Sequence, residues 1–136
     1  MILVTGAAGF IGAALCERLL RDGHTVLGID NLNDYYDPKL KQARLERLLG
    51  PNWLFKKLDI ADRLAMEHLF QENKFERVIH LAAQAGVRYS VTHPHIYTES
   101  NITGFLHILE GCRHAQIPHL IYASTSSVYG ESTKYP

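Results

Sequence analysis

A chain of 136 residues with 46% hydrophobic content is long enough to bury a core and is naturally read as one domain. Fourteen basic and fourteen acidic side chains cancel to a formal charge of zero, which argues against a nucleic-acid partner held on a basic face. No apolar run approaches the ~20 residues of a membrane span, and the N-terminus lacks a basic n-region and a small-residue cleavage site, so no membrane partner and a cytoplasmic location are expected.

The chain opens MILVTGAAGFIG. Ile2 to Thr5 is predicted as a buried strand. Gly6, Gly9 and Gly12 follow with the spacing GxxGxxG, and from Phe10 to about Arg21 the residues Ile11, Ala14, Leu15 and Leu19 recur at helical spacing. A strand that ends in a glycine turn and feeds a helix aims free N–H groups and the helix dipole at one spot, an anion site. One glycine allows the bend, one lets the backbone approach a pyrophosphate, and one lets the helix pack on the strand. Ala8, Phe10 and Ile11 stand with the glycines as candidate cofactor contacts. The alternative is a plain structural turn.

Gly23 is a plausible helix stop. Thr25 to Ile29 is a second buried strand, ending at Asp30, roughly 20 residues past the glycine turn, the separation of a ribose-binding carboxylate. Such an acid accepts hydrogen bonds from ribose hydroxyls and repels a 2′-phosphate. No Arg or Lys follows until Lys39, which favours NAD over NADP; the alternative for Asp30 is a solvated turn acid. Asn31 opens a polar, aromatic loop to Pro38. A basic helix is predicted over Lys39 to Leu49, with Leu45, Leu48 and Leu49 inward and Lys39, Lys41, Arg44 and Arg47 on a solvated face.

Trp53 to Leu58 is a third strand, closing at Asp59-Ile60. The helix Arg63 to Asn73 puts Met66, Leu69 and Phe70 on one face, with Asp62 as N-cap. Val78 to Ala82 is the fourth strand, and the small residues Ala83, Ala85 and Gly86 after it leave room for a cofactor or simply form a tight loop. The longest helix is predicted from about His95 to Ala115; Ile102, Phe105, Leu106, Ile108, Leu109 and Cys112 cover more than one of its faces. His119 to Ala123 is the fifth strand, followed by STSSVYG over Ser124 to Gly130. Cys16 and Cys112 fall in predicted helices and read as buried, reduced thiols. The eight histidines show no metal spacing, and His93-Pro94-His95 reads as a solvated turn.

Strands alternating with helices imply an α/β fold with a parallel, doubly wound sheet of about five strands in order 3-2-1-4-5. A ligand is expected across the carboxyl ends of strands one and four.

These motifs together give the chain a clear likeness. TGAAGFIG (Thr5 to Gly12), Asp30, Asp59-Ile60, HLAAQAGVR (His80 to Arg88), Asn101-x-x-Gly104 and STSSVYG resemble the N-terminal part of an extended short-chain dehydrogenase/reductase of the nucleotide-sugar epimerase/dehydratase family. DNLNDYYDP (Asp30 to Pro38) and AGVRYS (Ala85 to Ser90) most resemble UDP-glucuronate 4-epimerases. The resemblance implies a Rossmann-type domain with NAD over the glycine turn. Asp30 would meet the adenosine ribose, Asp59 and Ile60 would flank the adenine, and Asn31 is a further cofactor-binding candidate. Leu81, Ala82, Ala83 and Ser124 would line the dinucleotide site. In such epimerases a tyrosine takes the proton of the sugar 4-hydroxyl while hydride leaves C4 for the nicotinamide. The 4-keto sugar then turns and receives the hydride on its other face. A Ser or Thr after strand five hydrogen-bonds the reacting oxygen, and this role falls on Thr125, with Ser126 and Ser127 as substrate-side helpers. Arg88 is a candidate for a substrate anion or an ordinary surface arginine. The resemblance gives Asn101 a part in ordering the active-site helix or its waters.

The family's Tyr-x-x-x-Lys is expected about twenty residues beyond the VYG triplet, past Pro136. Only Tyr35 has a lysine four positions on, Lys39; it follows strand two, and Pro38 intervenes. The expectation is a truncated cofactor half, inactive alone, that meets a UDP-sugar only if a substrate lobe completes it. Self-association as a homo-oligomer is expected, because the helix after strand five is missing from its cover. The alternative is a stand-alone dinucleotide-binding or scaffold module without catalysis.

Overall fold

The computed structural model describes residues 1–131 and, of Ser126, the backbone alone. Its strands are β1 (Ile2–Thr5), β2 (Val26–Asp30), β3 (Trp53–Lys57), β4 (Arg77–His80) and β5 (Leu120–Tyr122), all parallel, in the order β3-β2-β1-β4-β5. The expected order is therefore the observed one. β1 and β2 are buried throughout, as strands covered on both faces must be. Alternation divides their side chains between two cores. Leu3, Leu27, Ile29 and Val78 face Met66, Leu69, Phe70, Ile108 and Cys112. Ile2, Val4, Val26 and Ile79 face Cys16, Leu19 and Leu48. Both cysteines are free and buried, and burial pushes the Cys16 thiol up to about 12 and that of Cys112 to about 11.

The helices are α1 (Phe10–Arg21), α2 (Pro38–Leu45), α3 (Arg63–Glu72), α4 (Val87–Thr92), α5 (Pro94–Tyr97) and α6 (Phe105–His114). Asp37 caps α2 by accepting from Lys39 N at 2.9 Å, and Asp62 caps α3 by accepting from Ala65 N at 3.1 Å.

Several expectations need correction. α1 buries Gly12, Ala13, Cys16 and Leu19, while Ile11 and Ala14 are exposed. Its rotation is set by Gly12, where any Cβ would overlap the Gly6 carbonyl. α2 stops at Leu45, because Arg47 N and Leu48 N bond only three residues back, to Arg44 O and Leu45 O. That tighter turn buries Leu48 and leaves Leu49 exposed. β4 ends at His80 rather than Ala82, because Leu81 and Ala82 turn their N–H groups to the Thr5 hydroxyl. The long helix predicted from His95 is α5, a π-helical segment over Thr98–Gly104, and α6. α4 follows the small residues Ala83, Ala85 and Gly86 and was not among the expected elements.

Candidate functional site

A cleft of ≈ 360 Å³ opens above the carboxyl ends of the central strands, where the sheet order reverses. Its floor is the glycine turn. Gly6 has φ +69°, and a Cβ there would lie 2.8 Å from Ala82 N and 2.9 Å from Leu81 C, so only glycine can make this bend beside β4. Gly9 has φ −70° and borders the cleft, and a Cβ there would lie 3.0 Å from Gly6 O. The first helical bond of α1 runs from Ala13 N to Gly9 O at 3.0 Å. The N–H groups of Phe10, Ile11 and Gly12 therefore have no intrahelical partner, which is the anion-binding end of a helix.

Asp30 closes β2 at one wall. Its carboxylate is buried; Oδ2 accepts from Ala8 N at 3.2 Å, and Oδ1 accepts from Leu32 N at 2.8 Å and from Lys41 Nζ at 3.4 Å. Lys41 also donates to Asn33 Oδ1 at 2.7 Å, and Arg44 donates to Ala8 O at 3.2 Å and to Tyr36 Oη at 2.8 Å. Lys41 and Arg44 thus turn into the cleft, which corrects the solvated face expected of them. The reason is geometric: the loop before α2 folds back over Asp30, and the buried carboxylate draws the ammonium in. Beyond them Asn31 donates to Asp59 Oδ2 at 2.9 Å, and Asp59 Oδ1 accepts from Ala61 N at 2.9 Å. Ile60 is buried behind this pair.

The opposite wall is the segment after β4. Thr5 Oγ1 accepts from Leu81 N at 3.1 Å and Ala82 N at 3.0 Å, and meets His80 Nδ1 at 2.8 Å. Asn101, in the π-helical segment, receives Gln84 N on Oδ1 at 2.8 Å and donates Nδ2 to Gln84 O at 3.0 Å. The strand exit is therefore stitched to the glycine turn at one end and to the helix at the other.

The cleft brings together Gly6, Gly9, Phe10, Asp30, Asn31, Asp59, Ile60, Leu81, Ala82 and Ala83. Ala8 lies beneath it, and Ile11 and Gly12 sit behind the turn. Ser124, Thr125 and Ser127 are exposed beyond β5 and do not line the cleft; neither does Arg88, exposed on α4. Thr125 caps a 3₁₀ turn over Ser126–Tyr129, accepting from Ser127 N at 3.2 Å. Nothing in the periodicity marks Thr5, Lys41, Arg44, Gln84 or Tyr35 as neighbours of the cleft; only the fold brings them there. Among the described residues no group of His, Cys, Asp and Glu is placed to hold a metal, and no helix is long and apolar enough to cross a membrane.

The floor of glycine, the unpartnered amides and the recessed carboxylate fit a dinucleotide: phosphates at the helix end, ribose hydroxyls near Asp30. The profile of the NAD dependent epimerase/dehydratase family matches residues 2–136. The chain belongs to that family. Within it, an uncharacterized 37.6 kDa protein of Escherichia coli O111:H- is 60% identical over 134 residues, 98% of this chain and 40% of that protein. UDP-glucuronate 4-epimerase 3 of Arabidopsis thaliana is 49% identical over 136 residues, covering 99% of this chain and 32% of its own length. Among solved structures, the UDP-glucuronic acid 4-epimerase of Bacillus cereus, in complex with UDP-glucuronic acid and NAD, superposes with a TM-score of 0.87 at 39% identity, covering 98% of this chain and 42% of that one. The UDP-glucose 4-epimerase of Thermotoga maritima, with UDP-glucose, gives a TM-score of 0.81 at 37% identity, covering 98% of this chain and 41% of its own. The chain thus spans about a third to two fifths of such relatives' length.

Proposed function

We propose that this chain is the NAD-binding portion of a UDP-sugar 4-epimerase of the UDP-glucuronate type. The observation that carries the reading is the cleft itself: a glycine floor at a helix N-terminus, facing a buried acid at the end of β2. Gly6, Gly9 and the amides of Phe10 and Ile11 would hold the pyrophosphate. Asp30 and Asn31 would take the adenosine ribose, Asp59 and Ile60 the adenine, and Leu81 to Ala83 the remaining wall. NAD, when bound, supplies hydride transfer to and from the sugar C4. Thr125 would position the reacting oxygen, with Ser126, Ser127 and Arg88 toward the substrate, once further structure brings the sugar there. Within these 136 residues only Tyr35 has a lysine four positions on, and Lys39 stands across Pro38 in the first turn of α2. The chain alone therefore binds cofactor without turning over a UDP-sugar; loss of general acid–base catalysis alone accounts for about 10²–10⁴-fold.

Titration with both dinucleotides tests this. NAD is expected to bind at least about tenfold tighter than NADP, a difference near 1.4 kcal/mol, since Asp30 opposes a 2′-phosphate even with Lys41 offsetting part of its charge. Gly9→Val is expected to abolish binding, because a Cβ at Gly9 would lie 3.0 Å from Gly6 O and crowd the turn that would hold the phosphates, and circular dichroism checks that the variant still folds. Equal affinity for NADP would overturn the role of Asp30, and unchanged affinity in Gly9→Val would overturn the site.

A further inference from the structure

The two walls of the cleft are joined above it by tyrosines. β1 lies between β2 and β4, so any bridge from the loop after β2 to the segment after β4 crosses over the glycine turn. Tyr35, in the loop after β2, makes that bridge. Its ring lies 4.9 Å from the ring of Tyr89 on α4, tilted by 59°. Its hydroxyl stands over the α-carbon of Gly86, where any Cβ would overlap it. Gly86 accommodates this with φ +103°.

The far side of the bridge is firmly held. Tyr89 stacks on His93 at 4.2 Å and 13° and touches Tyr97 at 6.4 Å. Tyr97 Oη donates to Ala85 O at 2.9 Å and also meets Gly86 O. Asn101 holds Gln84 from below. The near side is tethered through Asn33 and Lys41 at one end, the Asp37 cap at the other, and Tyr36, whose hydroxyl accepts from Arg44; the neighbouring Tyr35 is 43% exposed. The cleft lining includes Tyr35 above and Gly6 and Gly9 below.

We infer that Tyr35 and Tyr89 form a latch across the dinucleotide site, and that cofactor enters and leaves when Tyr35 swings off Gly86 and Tyr89. The inference rests on the NAD reading, and it assigns Tyr35 and Tyr89 as positioning residues for cofactor retention. Neither residue needs to touch the reacting atoms.

Stopped-flow fluorescence with NADH on the chain tests the latch. Tyr35→Ala and Tyr89→Ala are each expected to raise the NADH dissociation rate about three- to tenfold, the range an aromatic pair supports. The double variant is expected to dissociate no faster than either single one, since each removes the same contact. Tyr35→Phe, which keeps the ring, is expected to stay near the parent rate. In the cofactor-free chain, Tyr89→Ala should also speed amide hydrogen exchange across residues 32–36, a readout independent of NADH. Unchanged dissociation rates, effects that multiply in the double variant, or unaltered exchange would each overturn the latch. Failure of the parent chain to bind NADH would instead overturn the NAD reading, with the exchange result still deciding whether the tyrosines hold the loop.

Discussion

The Thr5 hydroxyl has one proton and two lone pairs. Both lone pairs are taken by Leu81 N and Ala82 N, so the proton goes to His80 Nδ1. That makes Nδ1 an acceptor and leaves His80 neutral with its proton on Nε2. Burial between the sheet and Phe105, whose ring stacks at 5.3 Å, holds the imidazole down to about 4 from its ordinary 6.5. The unfolded chain therefore binds more protons than the native one between those values. Stability from His80 is complete above about pH 6.5 and is lost as pH falls through about 4, by on the order of 3 kcal/mol. Urea unfolding of the parent and of His80→Gln at pH 7.5 and at pH 4.5 measures this, and the parent should lose more stability on acidification by roughly 2–3 kcal/mol. Parallel losses in the two proteins would show that His80 is not held neutral. His80 stands in the HLAAQAGVR motif, yet its role was not legible there, because it depends on a hydroxyl 75 residues away. The place of Asp30 beside the glycine turn was legible from its distance to the glycines. Lys41 was not: four basic residues along a helix read as one solvated face, and only the fold shows that one of them is buried against a carboxylate.

Elements were more legible than contacts. Short runs with an apolar centre between glycine and polar turns mark the strands, which span three to five residues, and parallel order follows from the alternation with helices. Ends and irregularities were not, because they are decided by hydrogen bonds between segments. The π-helical segment shows this well. Apolar spacing alone gives one helix from His95, whereas the chain widens over Thr98–Gly104, where Gly104 packs on Ile60 and Asn101 reaches Gln84. Asn101→Ala should remove both bonds to the Gln84 backbone and free that part of the wall between its Thr5 and Tyr97 tethers. The expected loss is about 1–3 kcal/mol in unfolding free energy, with a several-fold weaker NADH affinity measured by titration. Asn101→Asp, which still accepts from Gln84 N, should recover part of it. Full stability and affinity in Asn101→Ala would mean that Thr5 and Tyr97 suffice to hold the wall.

At the scale of the whole molecule, the sheet is covered unevenly. Ile102, Leu106 and Leu109 are 66%, 53% and 41% exposed, and their spacing makes one stripe along the π-helical segment and α6. Beside them β5 pairs only with β4 among the described residues, and its Ile121 and Tyr122 are 42% and 53% exposed. An apolar stripe next to an unpaired strand edge favours association over solvation. Burying one such side chain is worth about 1.5–3 kcal/mol, against a domain stability of only about 5–15 kcal/mol. The 136-residue chain is therefore expected to form a dimer or larger species at micromolar concentration, seen by sedimentation velocity. Leu106→Glu and Leu109→Glu should each weaken that association about tenfold or more, since about 1.4 kcal/mol suffices for tenfold, and neither should disturb Ile108 or Cys112 on the buried face. If association survives both substitutions, the contact runs through the β5 edge instead, and Tyr122→Pro, which removes an N–H that faces away from β4, should then break it. A chain that sediments as a monomer with a sharp thermal transition would show that the stripe is tolerated in water and that the fold closes without a partner.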